Sequence, residues 1–175
     1  MAESGSKWQK VGRRTVGRRS AINPEIELMF LGEYRHSVDQ KGRLTLPARY
    51  RQLLENGGYI TQGLDRNLMV WQKDSFEKLG AQVTRKSITD QTVREFSRVF
   101  FGEAERIEWD GSGRILIPQF LRDRHQMNGE VVIKGSGDYF EIWVPSEWSK
   151  QMANLEKVQD NAQYFAKLDL FANES

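Results

Sequence analysis

Two stretches of the chain, 71 residues apart, repeat each other closely enough to dictate its architecture. DQKGRLTLPARYR at 39–51 returns as DGSGRILIPQFLR at 110–122. Asp39 aligns with Asp110, Gly42 with Gly113, Arg43 with Arg114 and Pro47 with Pro118, while Leu44 and Leu46 align with Ile115 and Ile117. Gly58 then falls opposite Gly129. After a one-residue slip, Gly63, Trp71 and Phe76 fall opposite Gly135, Trp143 and Trp148. Self-similarity at a fixed offset marks a duplicated structural unit. Each copy has about 45 residues of strand and turn, too few to bury a good core alone. The copies must therefore pack together about an approximate twofold axis, as one β-rich domain with helices at its edges.

Each copy has the same local grammar. A short alternating stretch, Tyr34–Val38 or Ile107–Trp109, predicts a strand. It ends in Asp-x-x-Gly, a turn in which Asp bonds nearby amides and Gly takes a positive φ. A second strand follows, RLTLP or RILIP, with one apolar face. Pro47 and Pro118 suit the first position of a short helix, and Asn56-Gly57 and Asn128-Gly129 suit its left-handed stop. ITQGLDRNLMVW and VVIKGSGDYFEIWV each predict two strands around a Gly-containing turn, with Trp71 and Trp143 in the core. Asp74 and Glu77 resemble a capping box opening a helix with Phe76, Leu79 and Val83. A second helix is predicted from about Asp90 to Phe101, with Val93, Phe96 and Phe100 on one stripe. A longer amphipathic helix is predicted from about Ser146 through Phe165, fraying before Ser175.

Charge is unevenly spread. Residues 1–28 hold six bases and three acids; the remaining 147 hold 20 bases and 21 acids. The overall basicity belongs to this leader, which reads as a flexible basic arm, or else as a disordered tail or an upstream start codon read too early. Ordered structure is expected from about Met29. With no cysteine in the chain, disulfide scaffolds, thiolate zinc sites and cysteine nucleophiles are excluded. No apolar run approaches the roughly 20 residues of a membrane span.

Enzyme signals are weak. His36 and His125 lack metal-ligand spacing, no G-x-S-x-G is present, and the Gly pairs of DGSGR and KGSGD read as hairpin turns. Asp39 and Asp110 belong to turns. The expectation is a protein without catalytic residues, metal, cofactor or small-molecule substrate. Arg43 and Arg114 stand directly after the turns. A guanidinium fork fits phosphate oxygens and the guanine edge, yet each Arg could instead pair with the Asp four residues earlier and fix the turn. Residues 35–51 hold Arg35, Lys41, Arg43, Arg49 and Arg51 against Asp39 alone, whereas 106–124 hold four bases and three acids. Phosphate affinity comes from such local clusters, so the first copy is the better DNA-binding candidate.

The paired D-x-x-G-R turns, each followed by an alternating strand ending in Pro, resemble the MraZ family of bacterial transcriptional regulators. MFLGEY from Met29 and FFGEAERIEWDGSGRILIP from Phe100 are similar to it as well, and the resemblance spans about residues 29–172. It implies an α+β fold in which two AbrB-like repeats form one swapped-hairpin β-barrel with peripheral helices. The expected layout is a leader (1–28), first repeat (33–76), connecting helices (77–103), second repeat (104–147) and C-terminal helix and tail (148–175). The family's D-x-x-x-R signature maps onto Asp39 and Arg43, and onto Asp110 and Arg114. The expected DNA-binding residues are Lys41, Arg43, Arg49, Arg51 and Arg114; the turn-organising residues are Asp39, Gly42, Asp110 and Gly113. The resemblance further implies a ring-shaped homo-oligomer on double-stranded DNA, at direct repeats upstream of its own cell-division and cell-wall operon. That places it in the cytoplasm, on the nucleoid. The alternative is a ring-forming protein-interaction scaffold without specific DNA recognition.

Overall fold

A computed structural model describes residues 9–10, 24–159 and 162–170. The elements are β1 (Gln9–Lys10), α1 (Pro24–Glu27), β2 (Glu33–Ser37), β3 (Arg43–Thr45), α2 (Ala48–Leu53), β4 (Gly58–Gln62), β5 (Leu68–Gln72), α3 (Lys73–Thr84) and α4 (Gln91–Phe100). The second half holds β6 (Glu105–Arg106), β7 (Arg114–Leu116), α5 (Gln119–His125), β8 (Glu130–Gly135), β9 (Tyr139–Trp143), α6 (Pro145–Gln159) and α7 (Ala162–Ala166). Two leader residues thus form an edge strand, with Gln9 opposite Arg35 and Lys10 opposite Tyr34. The rest of the flexible-leader expectation, residues 1–8 and 11–23, lies outside the described residues. Among the described residues, helical structure begins at Pro24, five residues before Met29.

The duplicated halves trade strands. A seven-stranded sheet runs β1-β2-β8-β9-β5-β4-β6, and β3 pairs with β7 in a separate two-stranded ladder. Each copy keeps its own hairpin, β4–β5 or β8–β9, and lends its leading strand to the other. Thus β2 lies on β8, with Tyr34 opposite Ile133, while β6 lies on β4, with Arg106 opposite Tyr59. Between the hairpins, β5 and β9 pair with Val70 opposite Phe140. These pairings are all antiparallel.

Strand alternation assigns the two sheet faces. Leu68, Val70, Val131, Ile133, Phe140 and Ile142 point into one cluster with Leu44 and Ile115 of the ladder. Phe30 and Tyr50 meet there edge to face at 4.9 Å. The intervening Met69 and Trp71 meet α3 and α4, and Val132 and Trp143 meet α6 through Trp148, Met152 and Leu155. Trp143 is buried as expected, but Trp71 is only half-buried.

Several local expectations need correction. Residues 107–109 are not the second copy's leading strand, which is Glu105–Arg106. Ile107 N still donates to Gly58 O, but Leu116 N donates to Glu108 O and Trp109 bridges Ile115. The segment has already crossed from β4 to β7. Pro47 and Pro118 sit just before their helices, with ψ of 144° and 139° continuing the strand. Gly57 takes the expected positive φ, but α5 stops at Gln126 (φ 54°), three residues before Gly129. There Met127 N reaches back to Arg122 O at 2.9 Å. Asp74 makes no capping box, because α3 already starts at Lys73 and its N-cap, Gln72, forms no side-chain cap bond. Asp90 does cap α4, accepting from Thr92 N at 2.8 Å. The predicted C-terminal helix is described as α6 and α7, and residues 160–161 between them lie outside the described residues.

Candidate nucleic-acid interface

The two Asp-x-x-Gly-Arg turns are built alike. Asp39 Oδ1 accepts from the backbone N of Lys41 and of Arg43, both at 2.9 Å, and Oδ2 accepts from Arg43 Nε at 2.7 Å. Asp110 Oδ1 accepts from Ser112 N at 2.9 Å and Arg114 N at 3.1 Å, and Oδ2 from Arg114 Nε at 2.5 Å. Gly42 and Gly113 close the turns at φ of 82° and 72°, a conformation a Cβ makes costly. Partial desolvation pushes both carboxyls upward. The amides and the guanidinium on each outweigh it, holding Asp39 and Asp110 below the usual carboxylate range. Both are charged at neutral pH.

Because β3 and β7 pair with Leu44 opposite Ile115, the turns stand side by side. Arg114 Nη1 lies 3.8 Å from Asp39 Oδ2, linking one copy's turn to the other's. The next residues exchange too. The Arg51 guanidinium lies over Gly113, where an added Cβ would come within 2.5 Å of Nη1. Arg122 lies over Gly42, and its Nε donates to Ile117 O at 3.0 Å. Each turn is therefore roofed by the other copy's arginine.

Of the two sequence readings of the turn arginines, the structure shows the turn-fixing one. Nε of each Arg fixes the turn, yet the side chains of Arg43 and Arg114 stay 30% and 29% exposed. Among the described residues the terminal nitrogens of Arg43 carry no partner. The structure brings Lys41, Arg43, Arg51 and Arg114 together around Asp39, Gly42, Asp110 and Gly113. Arg49 is engaged elsewhere. Its Nη2 donates to Ile26 O and Glu27 O at 3.1 Å, holding α1 against α2. Arg122 was missed, although it aligns with Arg51 in the repeat. Counting it, the group holds five cations and two carboxylates. No group of three or more His, Asp or Glu suited to a metal occurs among the described residues, and no described helix is long and apolar enough to cross a membrane.

An α+β fold in tandem repeats, with leading strands exchanged and two Asp–Arg turns abutting on a shared ladder, defines a duplicated turn-presenting domain. Its relatives are specific. The family described as "MraZ protein, putative antitoxin-like" matches residues 29–99 and again 100–170. A protein of Roseiflexus castenholzii named transcriptional regulator MraZ is 41% identical over 139 residues, covering 79% of this chain and 95% of its own. Proteins of the same name from Thermomicrobium roseum and Heliobacterium modesticaldum are each 42% identical, over 70% of this chain and 87% and 85% of theirs. The chain belongs to the MraZ family.

Proposed function

We propose that the chain is a sequence-specific, DNA-binding transcriptional regulator that acts through the face formed by its paired turns. The observation that carries this reading is the set of partly exposed guanidinium groups, each held by its own carboxylate and gathered on one two-stranded ladder. A fork fixed at Nε keeps its terminal nitrogens pre-oriented, so little side-chain entropy is lost when they meet a phosphate or a base edge. In this reading Arg43, Arg114 and Lys41 contact double-stranded DNA, Arg51 and Arg122 steady the turns at the phosphates, and Arg49 braces α1. The relatives' name, transcriptional regulator, supports it.

The targets follow the family resemblance: direct repeats upstream of the protein's own cell-division and cell-wall operon, bound on the nucleoid in the cytoplasm. The seven-stranded sheet and the β3–β7 ladder enclose one cluster, which supports reading them as parts of a swapped-hairpin barrel. One such face binds DNA weakly. A ring-shaped homo-oligomer would present several to repeated sites, raising avidity by roughly 10² or more. Neighbours related by ring rotation read direct rather than inverted repeats.

Titrating the purified protein against its own upstream region and a scrambled duplex, each at two salt concentrations, tests this. The native duplex is expected to bind about 10³-fold or more tighter than the scrambled one. Affinity for both should fall steeply with salt. Equal, weak and salt-insensitive binding would favour a scaffold without DNA recognition.

A further inference from the structure

Among the described residues, two apolar surfaces beside the helices of the outer sheet face stand uncovered. One is a groove of about 560 Å³ between α3 and α4, lined by Val83, Ile88, Val93 and Phe101 with Lys86 and Arg98, and by no carboxylate. The other is the C-terminal segment, where Tyr164, Phe165, Leu168 and Leu170 are 47–70% exposed.

The internal repeat relates these surfaces. At the slipped offset of 72, Phe76 aligns with Trp148, Val83 with Leu155 and Phe96 with Leu168, so α6–α7 is the counterpart of α3–α4. In the first half, α4 folds back: Phe96 stacks on Phe100 at 5.0 Å, and Phe100 on Phe76 at 5.6 Å. In the second half, α6 docks through Trp148, Met152 and Leu155, while the aromatic and leucine side chains after it face solvent. Charge is complementary. Residues 160–175 carry Asp160, Asp169 and Glu174 against Lys167 alone, whereas the groove offers Lys86, Arg94 and Arg98.

We propose that the C-terminal segment of one copy docks in the α3–α4 groove of a second copy. This rests on the self-assembly part of the functional reading and supplies its contact. Each chain has one tail and one groove, so the contact is head-to-tail, the type that propagates around a ring until it closes. Leu168 and its aromatic neighbours fill the apolar lining, and Asp169 meets the cations beside it.

The absence of cysteine makes the test clean. Full-length Leu168→Cys and Ile88→Cys chains, both altered at exposed positions, are prepared separately, mixed and oxidised. A disulfide-linked pair of unlike chains is expected, above the yield from Leu168→Cys mixed with Ser149→Cys. In parallel, Phe165→Asp with Leu168→Asp should weaken self-association about tenfold or more, read by sedimentation, with circular dichroism unchanged. An unchanged assembly, or cross-linking no better than the Ser149→Cys control, would overturn the docking. So would an intrachain disulfide alone in the doubly substituted Ile88→Cys, Leu168→Cys chain, since the tail would then cover its own groove. Failure here is separable from failure of the regulator reading. A chain that assembles this way yet ignores its upstream DNA sinks only the latter, and one that binds that DNA with assembly untouched by the Asp variant sinks only the former.

Discussion

Arg43→Ala is expected to remove tight binding to the upstream DNA while leaving the protein folded and assembled. A well-placed arginine contact to a base edge contributes about 1–3 kcal/mol of discrimination, and in a ring the loss recurs in each subunit that touches a site. The turn itself should survive. Asp39 keeps its bonds from the backbone N of Lys41 and Arg43, and a partly exposed ion pair adds little to stability. Arg114→Ala removes the equivalent fork from the less basic copy and should cost less. The measurement is a fluorescence-anisotropy titration at matched salt, with sedimentation confirming assembly. Unchanged affinity in Arg43→Ala would mean that the arginine serves only its own turn.

Ile115→Ala carries the largest expected cost to stability. Ile115 is fully buried, sits opposite Leu44 in the ladder and is bridged by Trp109. Truncating such a side chain costs about 2–5 kcal/mol through lost transfer energy and the cavity left behind. That is a large share of a total that is ordinarily about 5–15 kcal/mol. Its neighbour Leu116 is 39% exposed, and Leu116→Ala should shift stability by no more than about 0.5 kcal/mol. Urea unfolding followed by tryptophan fluorescence compares the two. Since one cluster draws side chains from both halves, a single cooperative transition is expected. Two separate transitions, or equal costs at 115 and 116, would show that the ladder is not part of a shared core.

How far the sequence could be read depended on how local each interaction is. The turns were legible because their bonds close within five residues: Asp39 to Arg43 and Asp110 to Arg114 need only the turn itself. The apolar strands were legible for the same reason, since alternation is a property of one strand. The family resemblance implied swapped hairpins, but no local pattern says which strand β2 joins. That choice is made across nearly 100 residues, by Tyr34 against Ile133. Capture of Glu108 and Trp109 by β7, directly after Ile107 has bonded to β4, also depends on long-range pairing. The site was half visible. Lys41, Arg43 and Arg51 stood out as charge excess, whereas Arg122 was hidden by the acids around it, and only the placement of one copy over the other's glycine shows its role. Arg49 drew notice by charge, but α1 engages it.

The most direct test of the paired turns as the DNA-binding face is site-specific photocross-linking. Gln40→Cys places a unique thiol in the first turn at an exposed, uncharged position, and Ser149→Cys places one on α6. Each is coupled to the same photoreactive group and irradiated with the upstream duplex. Covalent protein–DNA product is expected from position 40 and only background from position 149. Equal or greater yield from position 149 would place the DNA elsewhere and contradict the assignment of the turns.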